Sequence, residues 1–225
     1  MDLRFERVSP ILGEGFDHLR QKKISVVGLG GVGGICAEAL VRCGMTNLVL
    51  VDFDRYEWSN INRQNGASTQ TIGQLKTEVL TQKLLDINPE LNLEVHSVFL
   101  NQDNNHEILA TSEAIIDAID SMSAKMELIR YGTQTQKVFI SSMGMANRLD
   151  PSQIEVSRIE KTYNDPFAKR VRIGCKQLGI KNLKVVFSKE LPKKNAEVLT
   201  SFMPVTASAG LLLASELIKD LMEKM

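Results

Sequence analysis

Cysteine is scarce in this sequence. The chain of 225 residues has three, Cys36, Cys43 and Cys175, and no two of them form the C-x-x-C pairs typical of structural zinc sites. Cys36 and Cys43 fall on the apolar stripe of a predicted helix, where a small buried hydrophobic residue is expected. Cys175 remains a candidate nucleophile. Unpaired cysteines suit a reducing compartment, so we expect a cytoplasmic protein.

Long apolar runs are also missing. The stretch Ala209–Ser215 is soon followed by Glu216, Lys219 and Asp220, which predicts no membrane span. The first residues are charged and contain no apolar signal core, so secretion is not expected. The three histidines, His18, His96 and His106, show no metal-ligand spacing and are predicted at the surface or at an edge.

A net charge is absent as well, because 27 basic residues balance 27 acidic ones. This balance argues against nucleic acid binding, but the distribution is uneven. Residues 151–194 hold 11 Lys/Arg against 4 Asp/Glu. That segment is either a footprint for the phosphates of a nucleic acid or a solvated helix face. Its basic residues include Lys169, Arg170, Arg172, Lys176, Lys181, Lys184, Lys193 and Lys194.

What the chain does have is a glycine-rich turn between a predicted strand at 23–27 and a predicted helix at 32–43. In the sequence VVGLGGVG, Gly28 permits the tight turn, Gly30 lets backbone N–H groups approach a phosphate, and Gly33 allows close helix packing. Gly31 belongs to the same phosphate-binding turn. A second predicted strand at 47–51 ends at Asp52, a position that suits hydrogen bonds to ribose hydroxyls. We therefore predict a nucleotide site.

Two cations downstream favour ATP over a dinucleotide. Arg63 follows a polar segment, and Lys76 lies in the first turns of a helix predicted at 73–86. A guanidinium fork and a compact ammonium both suit phosphate oxygens. Hydride transfer would leave this pair unused, whereas chemistry at a phosphate needs cations directed at developing negative charge.

The alternation of strands and helices predicts an α/β fold with a doubly wound, mainly parallel, Rossmann-like sheet. A single domain is expected, with an N-terminal arm at 1–22, a nucleotide-binding core at 23–148 and a less regular substrate-side extension at 149–225. The remaining predicted strands are at 93–98, 113–117, 137–142, 153–157 and 183–187, and the remaining helices are at 121–135, 165–176 and 205–222.

This ordered series of motifs resembles the ThiF/MoeB/HesA adenylating family, whose members use a substrate carboxylate to attack the α-phosphate of ATP. The resemblance implies Asp52 for the ribose, Asp120 for Mg2+ and the reacting groups, and Arg7 for the ATP of the other subunit in a homodimer. Arg63, Lys76, Asp120 and Arg7 are then the predicted catalytic residues. The further predicted ATP-site residues are Asp54, Ser59, Asn60 and Ser121.

Within the family, the sequence is most similar to the branch that dehydrates threonylcarbamoyladenosine in tRNA. The segments LDPSQI (149–154) and DPFAK (165–169) carry this likeness because they lie outside the shared ATP site. The resemblance implies ATP and Mg2+ as cofactors, tRNA as the substrate and a possible sulfurtransferase-type accessory protein. The chain departs from the family between Ser188 and Ser201, where it is short.

Three other functions remain open. An adenylating enzyme for a ubiquitin-like sulfur carrier would share the ATP residues, although the sequence lacks the zinc-binding cysteine pairs common in that branch. An NAD-dependent oxidoreductase explains Gly28 to Asp52 but not Arg63 and Lys76. A non-catalytic tRNA-binding or scaffold protein explains the basic segment but not the phosphate-directed cations.

Overall fold

The computed structural model describes residues 2–194 and 198–224. Its strands are β1 Ile24–Val27, β2 Asn47–Val51, β3 Asn92–His96, β4 Ala114–Asp117, β5 Val138–Ser142, β6 Ile154–Arg158 and β7 Lys184–Ser188. Its α-helices are α1 Ser9–Leu12, α2 Phe16–Arg20, α3 Gly33–Arg42, α4 Lys76–Ile87, α5 Asn105–Leu109, α6 Met122–Gln134, α7 Pro166–Gln177 and α8 Met203–Glu223. Short 3-10 helices cover Leu3–Phe5, Trp58–Asn60, Pro151–Gln153 and Ile159–Lys161.

The strands form one seven-stranded sheet in the order β3-β2-β1-β4-β5-β7-β6. Every neighbouring pair is parallel except β6 and β7, which are antiparallel. The strand order reverses direction between β1 and β4, and the crevice at such a switch point is where open α/β sheets bind their ligands. The predicted α/β class with a mainly parallel sheet is confirmed.

Both faces of the sheet are buried, as a doubly wound fold requires. Alternate residues of the central strands point in opposite directions, so Ile24 and Val26 pack in one cluster while Val27 packs in another. The first cluster contains α3 and α8 residues such as Leu40 and Leu217. The central strands are therefore apolar on both faces, and this is why the sequence pattern predicted β1, β2 and β4.

The extension after Leu149 contains strands β6 and β7 and helices α7 and α8, at positions close to the predicted ones. Strand β7 joins β5, and β6 closes that edge of the sheet, so this part continues the core. The long helix α8 packs chiefly on α3 and β5. Within the short region 188–201, residues 195–197 lie outside the described residues. In the described residues, no helix is long and apolar enough to cross a membrane.

The short helices at the N-terminus and α5 were not predicted. Four or five residues give too little periodicity for a sequence pattern. The arm is nevertheless held in place, because Phe5 and Phe16 are buried and the Arg4 guanidinium donates to Asn88 and Glu90. Since Asn88 and Glu90 precede β3, the N-terminal arm lies near the amino ends of the strands.

Candidate active site

A cavity of about 470 Å³ opens at the carboxyl ends of β1, β2, β4 and β5. Parallel strands bring the residues that follow them to one edge of the sheet, and that edge is the usual ligand site of this architecture. The fold thus brings together predicted site residues from five separate stretches of the sequence. Eight of them line the cavity: Gly28, Gly30, Gly31, Asp52, Asp54, Arg63, Lys76 and Asp120.

At two positions of the glycine turn, a side chain would collide with the backbone. Gly28 has φ +88°, and a Cβ there would come within 2.7 Å of the Ala118 carbonyl oxygen. A Cβ on Gly33 would collide with the Gly28 carbonyl oxygen. Gly30 differs, because a Cβ there would meet only Gln64 Nε2, at 3.9 Å. Gly28 and Gly33 therefore shape the turn, whereas the missing side chain at Gly30 keeps the cavity open.

Asp52 fixes the turn from the end of β2. Its Oδ2 accepts a hydrogen bond from the Leu29 N–H at 2.6 Å, and its Oδ1 accepts one from the Asp54 N–H at 2.8 Å. Burial raises the pKa of this carboxyl above its ordinary value, while the positive charge of Lys76 opposes the shift. A carboxylate held in this way still has lone pairs for ribose hydroxyls.

Lys76 and Arg63 place positive charge on the cavity wall. The Lys76 ammonium, with only 7% of its side chain exposed, pairs with Asp54 Oδ2 at 2.7 Å. Arg63 donates from Nη1 to the Ser59 carbonyl oxygen and to Asn62 Oδ1. These contacts orient both cations before any ligand arrives, which lowers the entropic cost of binding an anion.

Asp120 lies three residues beyond the end of β4, in the turn that leads into α6. It is exposed and lines the cavity together with Ala118 and Ile119 of the same turn. Among the described residues, no group of three His, Cys, Asp or Glu side chains could hold a metal ion alone. A metal at Asp120 would need ligands from a bound substrate.

Four of the predicted ATP-site residues do not line the cavity. Gly33 lies beneath the turn, and Ser121 is the N-cap residue of α6. Asn60 is buried and accepts a hydrogen bond from the Glu57 N–H, which closes a capping box around Trp58–Asn60. Ser59 is exposed beside it. Their assignment to the nucleotide stays a prediction.

Arg7 is not brought to this cavity either. It is exposed and follows the 3-10 helix of the N-terminal arm, which Arg4 anchors to Asn88 and Glu90. That anchor lies near the amino ends of the strands, whereas the cavity lies at their carboxyl ends. Arg7 of one chain is therefore remote from the cavity of the same chain.

Several cavity residues were missed by sequence reasoning. Phe53 and Phe99 meet edge to face with ring centroids 5.2 Å apart and are 53% and 43% exposed. No spacing motif marks these positions, because an aromatic residue in a sequence usually belongs to the core, and its exposure at a cavity is known only from the fold. The other wall comprises Ser142–Ala146, Phe167, Leu199–Ser201 and Thr206.

A buried network supports this second wall. Asp165 Oδ1 caps α7 by accepting from the Phe167 and Ala168 N–H groups. Its Oδ2 accepts from the Gly144 N–H at 3.1 Å and lies 3.5 Å from Arg148 Nη2. The DPFAK segment singled out in the sequence therefore places Phe167 and Gly144 at the cavity.

Cys36 is buried as predicted, Cys43 is only half-buried, and the histidines lie at the surface or at an edge as predicted. Cys36 and Cys175 are buried, and burial raises the pKa of the Cys175 thiol to about 11. A thiol with such a pKa is protonated at neutral pH and is a poor nucleophile. His18 and His106 are exposed, and His96 is partly exposed at the sheet edge.

Comparison with known proteins settles the family. The model of the ThiF family matches residues 4–224. The chain belongs to the ThiF family. Among curated relatives, the tRNA threonylcarbamoyladenosine dehydratase of Bacillus subtilis is 32% identical over 241 aligned positions, which cover 98% of this chain and 95% of that protein.

Solved structures of this family agree with the fold. The E. coli tRNA N6-threonylcarbamoyladenosine dehydratase TcdA, in complex with ATP, superposes with a TM-score of 0.94 at 32% identity and covers 98% of this chain and 94% of its own. The complex of the same enzyme with AMP gives the same values. The architecture of this ThiF chain is thus shared over nearly its full length.

Proposed function

We propose that this protein is an ATP-dependent dehydratase of threonylcarbamoyladenosine in tRNA. The observation that supports this most is the cavity that gathers the glycine turn, Asp52, Arg63, Lys76 and Asp120. Relatives that match over almost the whole chain bear the name of this activity, and one such relative was solved with ATP and with AMP.

The cavity offers complementary groups for each part of ATP. The Asp52 carboxylate suits the ribose hydroxyls, and the backbone N–H groups after Gly28 suit the phosphates at the start of α3. Arg63 and Lys76 supply cations for the same phosphates. Phe53 and Phe99 give an exposed aromatic surface next to Asp52, where a purine base can stack.

The donor set also fits Mg2+. This ion is usually held by one or two carboxylates together with substrate phosphates and water, and it does not need a cage made of protein alone. Asp120 and Asp54 both line the cavity. When bound, Mg2+ would neutralise charge on the phosphates. Asp120 would hold the ion, and Lys76 would keep its ammonium beside Asp54 and the phosphates.

The proposed reaction has two steps. The carboxylate of the threonyl group on the tRNA adenosine attacks the α-phosphorus of ATP, and pyrophosphate leaves. The carbamoyl group of the same base then closes onto the activated carbonyl, and AMP leaves. The nucleoside loses one water and becomes cyclic. Arg63, Lys76 and Arg7 would stabilise charge at the α-phosphate, so the protein contributes mainly orientation and electrostatics.

Arg7 is proposed to act across a homodimer. Its distance from the cavity of its own chain leaves a second copy as the place where its guanidinium meets ATP. A dimer places the same surface patch of both subunits in contact, so one contact would complete two sites. The proposal also includes a cytoplasmic location and a sulfurtransferase-type accessory protein. Neither is needed for the chemistry.

A basic surface suits the tRNA. Lys169, Arg170, Lys176 and Lys181 are exposed, and among the described residues none of these four forms an ion pair. Lys184, in contrast, is neutralised by Glu216 and Asp220. Excess cations on α7 and the following loop are therefore available for a phosphate backbone.

The decisive experiment incubates the purified protein with ATP, Mg2+ and tRNA that carries threonylcarbamoyladenosine. Gentle digestion and mass spectrometry of the nucleosides should show an ATP-dependent loss of one water. An unchanged mass in a protein that binds ATP contradicts the proposal and favours activation of a sulfur-carrier protein ending in Gly-Gly. Tight binding of NAD without ATP binding would favour an oxidoreductase.

A further inference from the structure

A completely buried ion pair lies behind the cavity. The ammonium of Lys125, on α6, is 2.7 Å from Asp117 Oδ2, at the end of β4, and both side chains have no exposed surface. The same ammonium donates to Ser141 Oγ at 3.1 Å and to the Ser142 carbonyl oxygen at 3.0 Å. Its three protons are therefore all used.

Stability alone is a weak reason for such a pair. The cost of desolvating two charges is about as large as their attraction, and apolar residues of similar volume often serve a fold equally well. Burial indeed lowers the pKa of Lys125, against the opposing charge of Asp117. A buried pair is better explained where it defines the relative position of the segments it joins.

The segments joined here are the two walls of the cavity. Asp117 Oδ1 accepts from the Ile119 N–H at 3.1 Å, so this carboxylate holds the turn whose next residue is Asp120. Lys125 holds the Ser142 carbonyl oxygen, where Ser142–Ala146 begins the opposite wall. Ser141 Oγ donates to Asp117 Oδ2 at 2.6 Å and connects the two strands directly.

The pair also supports neighbouring cavity elements. The Phe167 ring, which lines the cavity, lies 5.8 Å from the Lys125 ammonium. The Ala118 carbonyl, next to Asp117, is packed so closely on Gly28 that a Cβ there would lie 2.7 Å from it. The turn after β4 therefore packs directly against the glycine turn.

We propose that Lys125 and Asp117 are positioning residues that set the distance between Asp120 and the Ser142–Ala146 wall. They touch neither ATP nor the carboxylate that reacts. Their effect is on the geometry of the reacting groups, where a misplacement of about 1 Å can cost roughly a hundredfold in rate. This inference rests on the proposed function for its kinetic consequence, but not for its structural one.

The test replaces the pair by neutral groups of similar volume, in the double variant Lys125→Met with Asp117→Asn. The amide oxygen introduced at position 117 can still accept from the Ile119 N–H, and no buried charge is left unpaired. The matched control, Lys184→Met with Asp220→Asn, removes the two ion pairs of Lys184 with Asp220 and Glu216, which join β7 to α8 and do not line the cavity. Glu216 keeps its ion pair with Lys219. Both variants should unfold cooperatively.

Two measurements are made on each protein. Turnover of modified tRNA should show kcat reduced roughly a hundredfold in the Lys125 variant, with ATP affinity within about threefold of the wild type and the Lys184 variant unaffected. Hydrogen exchange should accelerate in peptides covering 117–121 and 141–146 and stay unchanged in 205–221.

If the wild-type protein is active, three results overturn the inference. The first two are an unchanged kcat and an unchanged local hydrogen exchange in the Lys125 variant. The third is an equal loss of kcat in the Lys184 variant. A wild-type protein without turnover contradicts the proposed function instead. In that case hydrogen exchange alone tests the positioning role. Unchanged exchange at 117–121 and 141–146 in the Lys125 variant still overturns it, and faster exchange there supports it.

Discussion

Asp52 Oδ2 accepts a hydrogen bond from the Leu29 N–H at 2.6 Å, which ties the end of β2 to the glycine turn after β1. The carboxyl is buried, and desolvation raises its pKa above the ordinary value of 3.8. The same residue therefore orders the glycine turn and carries an electrostatic cost at neutral pH.

That cost has a defined pH dependence. Because the folded chain binds the Asp52 proton more tightly than the unfolded chain, the stability from this group is present below 3.8 and is lost as the pH rises through the folded pKa. Asp52→Asn removes this titration. The Tm of the variant relative to the wild type should therefore increase as the pH rises above 3.8 towards neutrality, as measured by calorimetry. A constant difference across this range would contradict the assignment.

Arg63→Ala should lower adenylation by roughly a hundredfold or more, the scale seen when a donor to developing charge is removed. Release of pyrophosphate in the presence of modified tRNA measures this step. Arg42→Ala is the control, since Arg42 is 60% exposed and pairs with Glu38 on α3. Equal turnover of Arg63→Ala and the wild type would remove Arg63 from the mechanism.

The two glycines Gly30 and Gly33 should respond differently to alanine. Gly33→Ala places a methyl group against the Gly28 carbonyl and should strongly destabilise the fold. Gly30→Ala has room against Gln64 and should keep the wild-type Tm while weakening ATP binding, because the methyl group enters the cavity. Thermal unfolding and calorimetric titration with ATP separate the two effects. Unchanged ATP affinity in Gly30→Ala would place the phosphates elsewhere.

Cys175 should be dispensable for turnover. Its thiol is 1% exposed, and burial raises its pKa to about 11, so it is neither accessible nor ionised at neutral pH. Cys175→Ala should retain activity within about twofold, with a modest loss of Tm from the small volume removed. Trapping of a thioester on Cys175 of the native protein would instead support a nucleophilic role.

Arg7 should act in trans. Arg7→Ala and Asp120→Ala should each be inactive, and subunit exchange between them should restore about one quarter of wild-type activity. This fraction follows because half of the randomly mixed dimers contain one intact site of two. Activity after co-refolding of the two variants tests this. Complete absence of recovery, with mixed dimers demonstrated, would argue that Arg7 acts within one chain or not at all.

The sequence by itself determined the sheet and its glycine turn. The apolar runs that became β1, β2 and β4 are buried on both faces, so they carry a strong local signal, and their predicted bounds agree with the structure within one residue. Gly28, Gly33 and Asp52 were identifiable because their roles depend on backbone conformation and on a fixed distance along a βαβ unit.

Only the tertiary structure decided which side chains share the cavity. Phe53, Phe99 and Phe167 come from segments distant in sequence, and whether an aromatic residue faces a core or a cavity depends on the packing around it. The sequence marks Lys125 only weakly, by its position three residues before the buried Leu128 on α6. Its pairing with Asp117 could not be derived from that position, because the attraction between them is strong only where the folded chain excludes water from both.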